Sequence, residues 1–186
     1  MTGIKTKPGF TLVEVLISVT LFVMIMLSAT QIFELVISSQ RSAIATQNVQ
    51  ESLKYFLEVI AKEMRMAQKN QGVCPGIPDN EIFVVSSNAL GDVLNFKNYY
   101  GQCITYSLVP DGTNQRFWIS RVSGGTTLAD FITPVKIRMD SLHFVLNEST
   151  STQPVVMINL HAHALNEAQF QSAMTIQTSI TSRYYK

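Results

Sequence analysis

Residues 15–33 carry no charged side chain, and apolar residues would cover every face of a helix formed there. That length is what a hydrocarbon core about 30 Å thick requires. Apolarity all round suits lipid or a bundle core, not one face of a globular protein. Further along, the pattern changes. Val49, Leu53, Phe56, Ile60, Met64 and Ala67 recur at spacings of three and four, which is one face of an α-helix. Glu51, Lys54, Glu58, Lys62, Glu63 and Arg65 fill much of the remainder, with Glu58 and Lys62 spaced as an i,i+4 ion pair. There is no glycine between Phe10 and Gln71 and no proline between Phe10 and Cys74. The pattern predicts one helix from Phe10 to about Gln71, roughly 90 Å long if unbroken. Asn70-Gln71-Gly72 supplies the stop, with Gly72 available for a left-handed cap. Residues 31–47 are intermediate, with Glu34 and Arg41 among apolar neighbours, and read as the emergence from a membrane.

From Cys74 onward the periodicity shortens to two. Residues 81–85 are short and apolar. Residues 103–109 alternate, Pro110-Asp111-Gly112 offers a turn, and residues 115–122 return, so the pair predicts a β-hairpin. Ser123-Gly124-Gly125 is another break. Residues 135–147 and 155–165 are longer strand candidates, separated by the polar run 148–153. The last, residues 173–183, sets Met174, Ile176, Thr178 and Ile180 on one face, and Tyr184 and Tyr185 follow it. A mostly antiparallel sheet packed against the distal half of the helix is the economical arrangement, an α+β fold.

The first fourteen residues carry the chemistry. Lys5 and Lys7 are the only charged side chains before Glu14, so the leader should stay cytoplasmic while the rest crosses outward. Glu14 lies near the cytoplasmic edge of the span. A carboxylate there costs up to roughly 2.5–3.5 kcal/mol on insertion scales, so it needs a purpose. The run Gly9-Phe10-Thr11-Leu12-Val13-Glu14 resembles, without a break, the class III signal of type IV prepilins and type II secretion pseudopilins, Gly-Phe-Thr-Leu-x-Glu. An ordinary secretory signal has a shorter apolar stretch and a small-x-small cleavage site, and a plain signal anchor needs neither Glu14 nor Gly9-Phe10.

The resemblance implies a pilin-like lollipop, with a protruding apolar stem and a distal stem half packed on a β-rich head. It implies that a prepilin peptidase cuts between Gly9 and Phe10 and methylates the Phe10 nitrogen. It also implies that Glu14 aids docking by neutralising the Phe10 amine of a neighbouring subunit. The other partners it implies are major and minor (pseudo)pilins, an inner-membrane assembly platform with its ATPase, and the lipid bilayer. The expected divisions are a leader at 1–9, a transmembrane stem half at 10–37, an amphipathic stem half at 38–71 and an extracytoplasmic head at 72–186. Residues 51–57, 62–67 and 176–183 are also similar to the GspJ/PilW group of minor pilins.

Composition narrows the picture further. Only 15% of residues are charged and the net charge is +1; losing Lys5 and Lys7 with the leader makes it −1. No basic stripe argues for nucleic acid. Cys74 and Cys103 both follow the span, where disulfides are permitted. A bridge would tie the end of the stem to the first hairpin; two reduced, buried cysteines are the alternative. His161 and His163 share one strand face but lack an evident third metal ligand, and read as solvent-facing. Asp111-Gly112-Thr113-Asn114 lacks the spaced carboxylates of a calcium loop. Met24 and Met26 fill the apolar helix. No cofactor is implied, and no nucleophile, base and positioning site combine into an enzyme. Two functions follow. One is a minor subunit that initiates or caps a filament. The other is a tip-displayed binding module, an adhesin or a receptor for secreted cargo or DNA, for which Arg116, Trp118 and Arg121 are the candidate patch.

Overall fold

The computed structural model describes residues 9–147, 153–165 and 173–183. The leader residues 1–8, most of the polar run 148–153, and Tyr184 and Tyr185 lie outside the described residues. Among the described residues helix α1 spans Leu12–Arg65 and eight strands follow, giving an α+β chain. By contacts the chain divides into two compact units, Met1–Ala43 and Ile44–Lys186.

In the second unit, strands β1 (Phe83–Asn88), β2 (Gly91–Lys97), β3 (Cys103–Asp111), β4 (Asn114–Ser123) and β5 (Thr126–Phe131) form one antiparallel meander. Strands β6 (Ile137–Asn147), β7 (Val155–Ala164) and β8 (Ala173–Thr181) form a second, three-stranded antiparallel sheet. The head therefore holds two sheets where the strand pattern predicts one. The strands missing from the pattern explain part of the difference. β2 contains Gly91, Asp92, Asn95 and Lys97, and β5 is almost wholly exposed, so neither carries an alternating apolar signal. The expected hairpin is β3–β4, but its turn is Gly112-Thr113, with Asp111 paired to Asn114; Pro110 and Asp111 belong to the strand. Gly112 has φ +63°, a conformation glycine adopts without a Cβ penalty.

The stripe on the distal part of α1 is the core. Val49, Leu53, Phe56, Ile60, Met64 and Ala67 are all buried. Phe56 meets Phe117 with ring centroids 4.2 Å apart, and the aromatic contacts continue through Tyr106 and Phe96 to Phe83. One ring from each of β1, β2, β3 and β4 thus lines up beneath the helix. The polar edge of this contact is also closed. The Tyr106 hydroxyl donates to Glu63 Oε2 at 2.6 Å, and Arg121 pairs with Glu63 Oε1 at 3.0 Å. Burial, followed by the Glu63 carboxylate, pushes the Tyr106 phenol well up, so it stays a donor.

The helix ends at Arg65, short of the expected Gln71, because tertiary partners take its last backbone groups. The Gln68 N–H donates to the Lys97 carbonyl at 2.9 Å, the Arg183 N–H to the Arg65 carbonyl at 2.8 Å, and Ser182 Oγ to the Ala67 carbonyl at 3.1 Å. Asn70, buried, then organises the following loop. Its amide donates to the Cys74 and Ile77 carbonyls and its Oδ1 accepts from the Val73 and Cys74 N–H groups. Glu58 and Lys62 do not form the expected ion pair; among the described residues both remain unpaired.

The two sheets meet closely at Gly91, where a Cβ would lie 2.8 Å from the Leu142 carbonyl oxygen. Next to it, Asp92 accepts from Ser87 Oγ at 2.7 Å and the Phe144 N–H at 3.0 Å, and meets His143 Nδ1 at 3.3 Å. Burial raises the Asp92 pKa, but the hydrogen bonds from Ser87, Phe144 and His143 outweigh it and hold the group below its ordinary 3.8.

Two stability outcomes follow. Phe56→Ala should cost about 3–5 kcal/mol, read as a lower denaturant midpoint of the full chain in a non-ionic detergent. Because the folded Asp92 pKa is depressed, its contribution is present above pH 3.8 and is lost as pH falls through the folded value. Asp92→Asn should therefore lower stability at neutral pH and flatten the acid limb; an unchanged limb would mean that Asp92 does not carry it.

Candidate functional site

Gly9 and Phe10 precede the helix. Both are exposed, Phe10 at 83%, and Thr11 is the first residue to engage the helical backbone. The Thr11 carbonyl accepts from the N–H groups of Glu14 (3.1 Å) and Val15 (3.2 Å), and its hydroxyl accepts from Glu14 N–H at 3.3 Å. Thr11 is thus the N-cap, with Glu14 three residues on, the spacing of a capping box. The expected helix start at Phe10 moves to Leu12 for this reason. The signal was present in Thr11-Leu12-Val13-Glu14, and the apolar pattern alone does not reveal it. The Gly9–Phe10 bond consequently lies in irregular backbone outside the helix. A Cβ added at Gly9 would meet nothing within 4 Å, so the fold itself does not demand glycine there.

Residues 9–37 are all exposed, and the most apolar window of α1 has a mean hydropathy of 2.4 with none of it buried in the chain. The polar side chains between Val15 and Thr30 are Ser18, Thr20, Ser28 and Thr30. Each hydroxyl donates back to a carbonyl three or four residues earlier, at 2.7–3.1 Å. This is how a helix satisfies hydroxyls where water is absent. Glu14 differs. Its carboxylate makes no hydrogen bond or ion pair among the described residues, although its position in the first turn faces the positive end of the helix dipole. Between Leu12 and Thr30 it is the one side-chain polar group left without an internal partner.

The other residues singled out from the sequence fall in the head. Cys74 and Cys103 form a disulfide, with Cα atoms 5.5 Å apart, joining the loop after α1 to the start of β3. Arg116, Trp118 and Arg121 do not form a patch. Strand alternation sends Arg121 to the helix side, where it pairs with Glu63, and Arg116 and Trp118 to the opposite side. Arg116 is also consumed internally. It pairs with Asp111 at 2.8 Å, donates to the Thr133 carbonyl and covers the Phe131 ring. Trp118 is half-buried edge-on against the same ring. Asp111, in the expected turn, is occupied by that ion pair.

His161 and His163 do share a strand face, but they are half-buried rather than solvated. Both Nδ1 atoms approach Asp140 Oδ2, at 2.9 and 2.7 Å. Asp140 sits where the β6–β7 register shifts, and that bulge brings its carboxylate to both rings. The strand pattern gives no sign of a bulge, so this partner was missed. Among the described residues no group of three or more His, Cys, Asp or Glu could hold a metal ion.

Residues 4–30 match a family model described as "Prokaryotic N-terminal methylation motif". The match brackets Gly9, Phe10 and Glu14 and ends before the head begins. No curated protein and no solved structure matches the chain significantly.

Removing the bridge with Cys74→Ser should cost roughly 3–4 kcal/mol for a loop of this length on the chain-entropy account. The readout is the thermal or denaturant midpoint, and reduction of the unsubstituted chain should give the same loss.

Proposed function

We propose that this chain, whose residues 4–30 match the N-terminal methylation motif and so support a type IV pilin-like identity, is a minor pilin or pseudopilin. In this reading it is a structural subunit that helps initiate or cap a thin filament. The motif implies processing by prepilin peptidase and assembly with other pilins, and the apolar helix near the N-terminus fits membrane anchoring. The finer reading begins with a leader, residues 1–9, that holds the N-terminus in the cytoplasm. The span is residues 10–37, the amphipathic stem half is 38–71, and the head, 72–186, faces out from the cytoplasmic membrane until the chain enters a filament. The similarity of residues 51–57, 62–67 and 176–183 to the GspJ/PilW group supports a minor rather than a major subunit.

The observation that carries the proposal is the unpartnered Glu14 on a helix whose other early polar groups are satisfied internally. Cleavage after Gly9 creates an amino group at Phe10, four residues before that carboxylate. Within one subunit both lie at the same end of one helix. In an assembled apolar core, the Phe10 amine of one subunit and the Glu14 carboxylate of the next neutralise each other, and neither charge stays unpaired away from water. The exposed, non-helical Gly9–Phe10 bond is accessible to a peptidase. Since a Cβ at Gly9 would strike nothing in this chain, the requirement for glycine belongs to the enzyme's active site. A tip-displayed binding role is compatible with the same assembly, although Arg116 and Arg121, engaged within the head, do not supply its ligand surface.

Intact mass and N-terminal sequencing of the protein from native membranes should give a start at N-methylated Phe10. A start at Met1 or Thr2 would make the chain a simple anchor. Gly9→Ala should leave the circular dichroism of the full chain unchanged while the leader is retained. Glu14→Leu should be processed normally but be depleted from sheared filaments, and normal filament output from that variant would remove the docking role.

A further inference from the structure

The head carries a groove of about 670 Å³ between the distal part of α1 and the edge strand β8. Its floor is apolar and half-buried, formed by Leu57, Ala61, Met174 and Ile176. Its rim is basic: Lys54, Lys62, Arg65 and Arg183 surround it with Glu58 as the sole carboxylate among the lining residues. None of these four cations forms an ion pair among the described residues, in contrast to Arg116, Arg121 and Arg138.

The strand beside the groove is unusual for an edge. β8 pairs with β7 on one side and with no described strand on the other. Protein edges are ordinarily blunted by charged residues, proline or bulges. Across its nine residues, Ala-Met-Thr-Ile-Gln-Thr-Ser-Ile-Thr, β8 has no charge and no proline, and its register with β7 is unbroken. Of the two edges of the other sheet, β5 carries a charge, Asp130, while β1, like β8, carries none. The helix end is pinned beside β8 through the Arg183 N–H to Arg65 carbonyl bond, so the groove has a fixed floor and one closed end.

We infer that this groove is a docking site for an extended, acidic segment of another protein, which adds to the edge of β8 as a fourth strand. Main-chain hydrogen bonds to β8 supply part of the affinity, and alternate side chains supply specificity. Apolar residues of the incoming strand cover Leu57, Ala61 and Ile176. Its carboxylates face the Lys54, Lys62, Arg65 and Arg183 cations, whose unpaired state and predominance over Glu58 select negative charge. A basic or neutral strand leaves those four charges uncompensated. The inference does not require cleavage at Gly9 or entry into a filament.

The test uses the full chain in a non-ionic detergent and a blocked nine-residue peptide in which glutamate alternates with valine. Controls are the same sequence with lysine for glutamate, and a glutamate–valine peptide N-methylated along its pairing edge. Titration calorimetry should show the acidic peptide binding at least about tenfold tighter than the lysine peptide and weakening with salt. N-methylation should abolish binding. The double variant Lys62→Glu with Arg183→Glu, exposed positions that leave the core intact, should reverse the preference. Equal binding of both charge types, undiminished binding of the N-methylated peptide, or no binding of any peptide would overturn the proposal. Concentration-dependent self-association lost in the double variant would instead give the groove to a second copy of this chain, and would also overturn it.

Discussion

The head depends on one contact, the insertion of the α1 stripe centred on Phe56 into the row of aromatic rings from β1 to β4. A helix with a single apolar face has to cover it, and a meander with one solvated face has to cover its other side. The interface also contains Glu63, which is tolerable only because Tyr106 and Arg121 both satisfy it. Apolar matching holds the two layers together. The Glu63 network fixes where along the helix they meet, since a shift by one turn would leave a carboxylate and a guanidinium unpaired.

The same physics, with the opposite sign, governs the first part of α1. There the helix has apolar residues on every face and, among the described residues, nothing covers them. Its hydroxyls turn back onto its own carbonyls, leaving Glu14 as the exception. An exposed apolar surface together with one unsatisfied charge defines what a partner must provide: an apolar surround and one positive group. In the proposed function a Phe10 amine, exposed by cleavage of the leader, would meet the second demand, which couples cleavage to assembly.

The parts of the structure that sequence reading missed have a common character. The early helix end at Arg65, the bulge at Asp140 and the close approach at Gly91 are all set by groups distant in the chain. Gln68 leaves the helix because Lys97 offers a carbonyl. Asp140 turns toward two histidines because the register slips once. Strand β2 pairs although its composition argues against it, because β1 and β3 flank it on both sides. Local pattern carries no information about such partners.

The sequence by itself determined the apolar helix, the buried stripe, the β3–β4 hairpin, the last three strands and the Gly9-Phe10…Glu14 constellation. These follow from periodicity, from the placement of breakers and from a contiguous motif, all local properties of the chain. Only the tertiary structure decided that the strands divide into two sheets, that Arg121 is consumed by Glu63 of the helix, and that a basic, unpaired rim lies beside an unblunted strand edge. Those outcomes depend on which elements meet. Contact between distant residues is chosen by the free energy of the whole packed arrangement, and no window along the chain contains both partners.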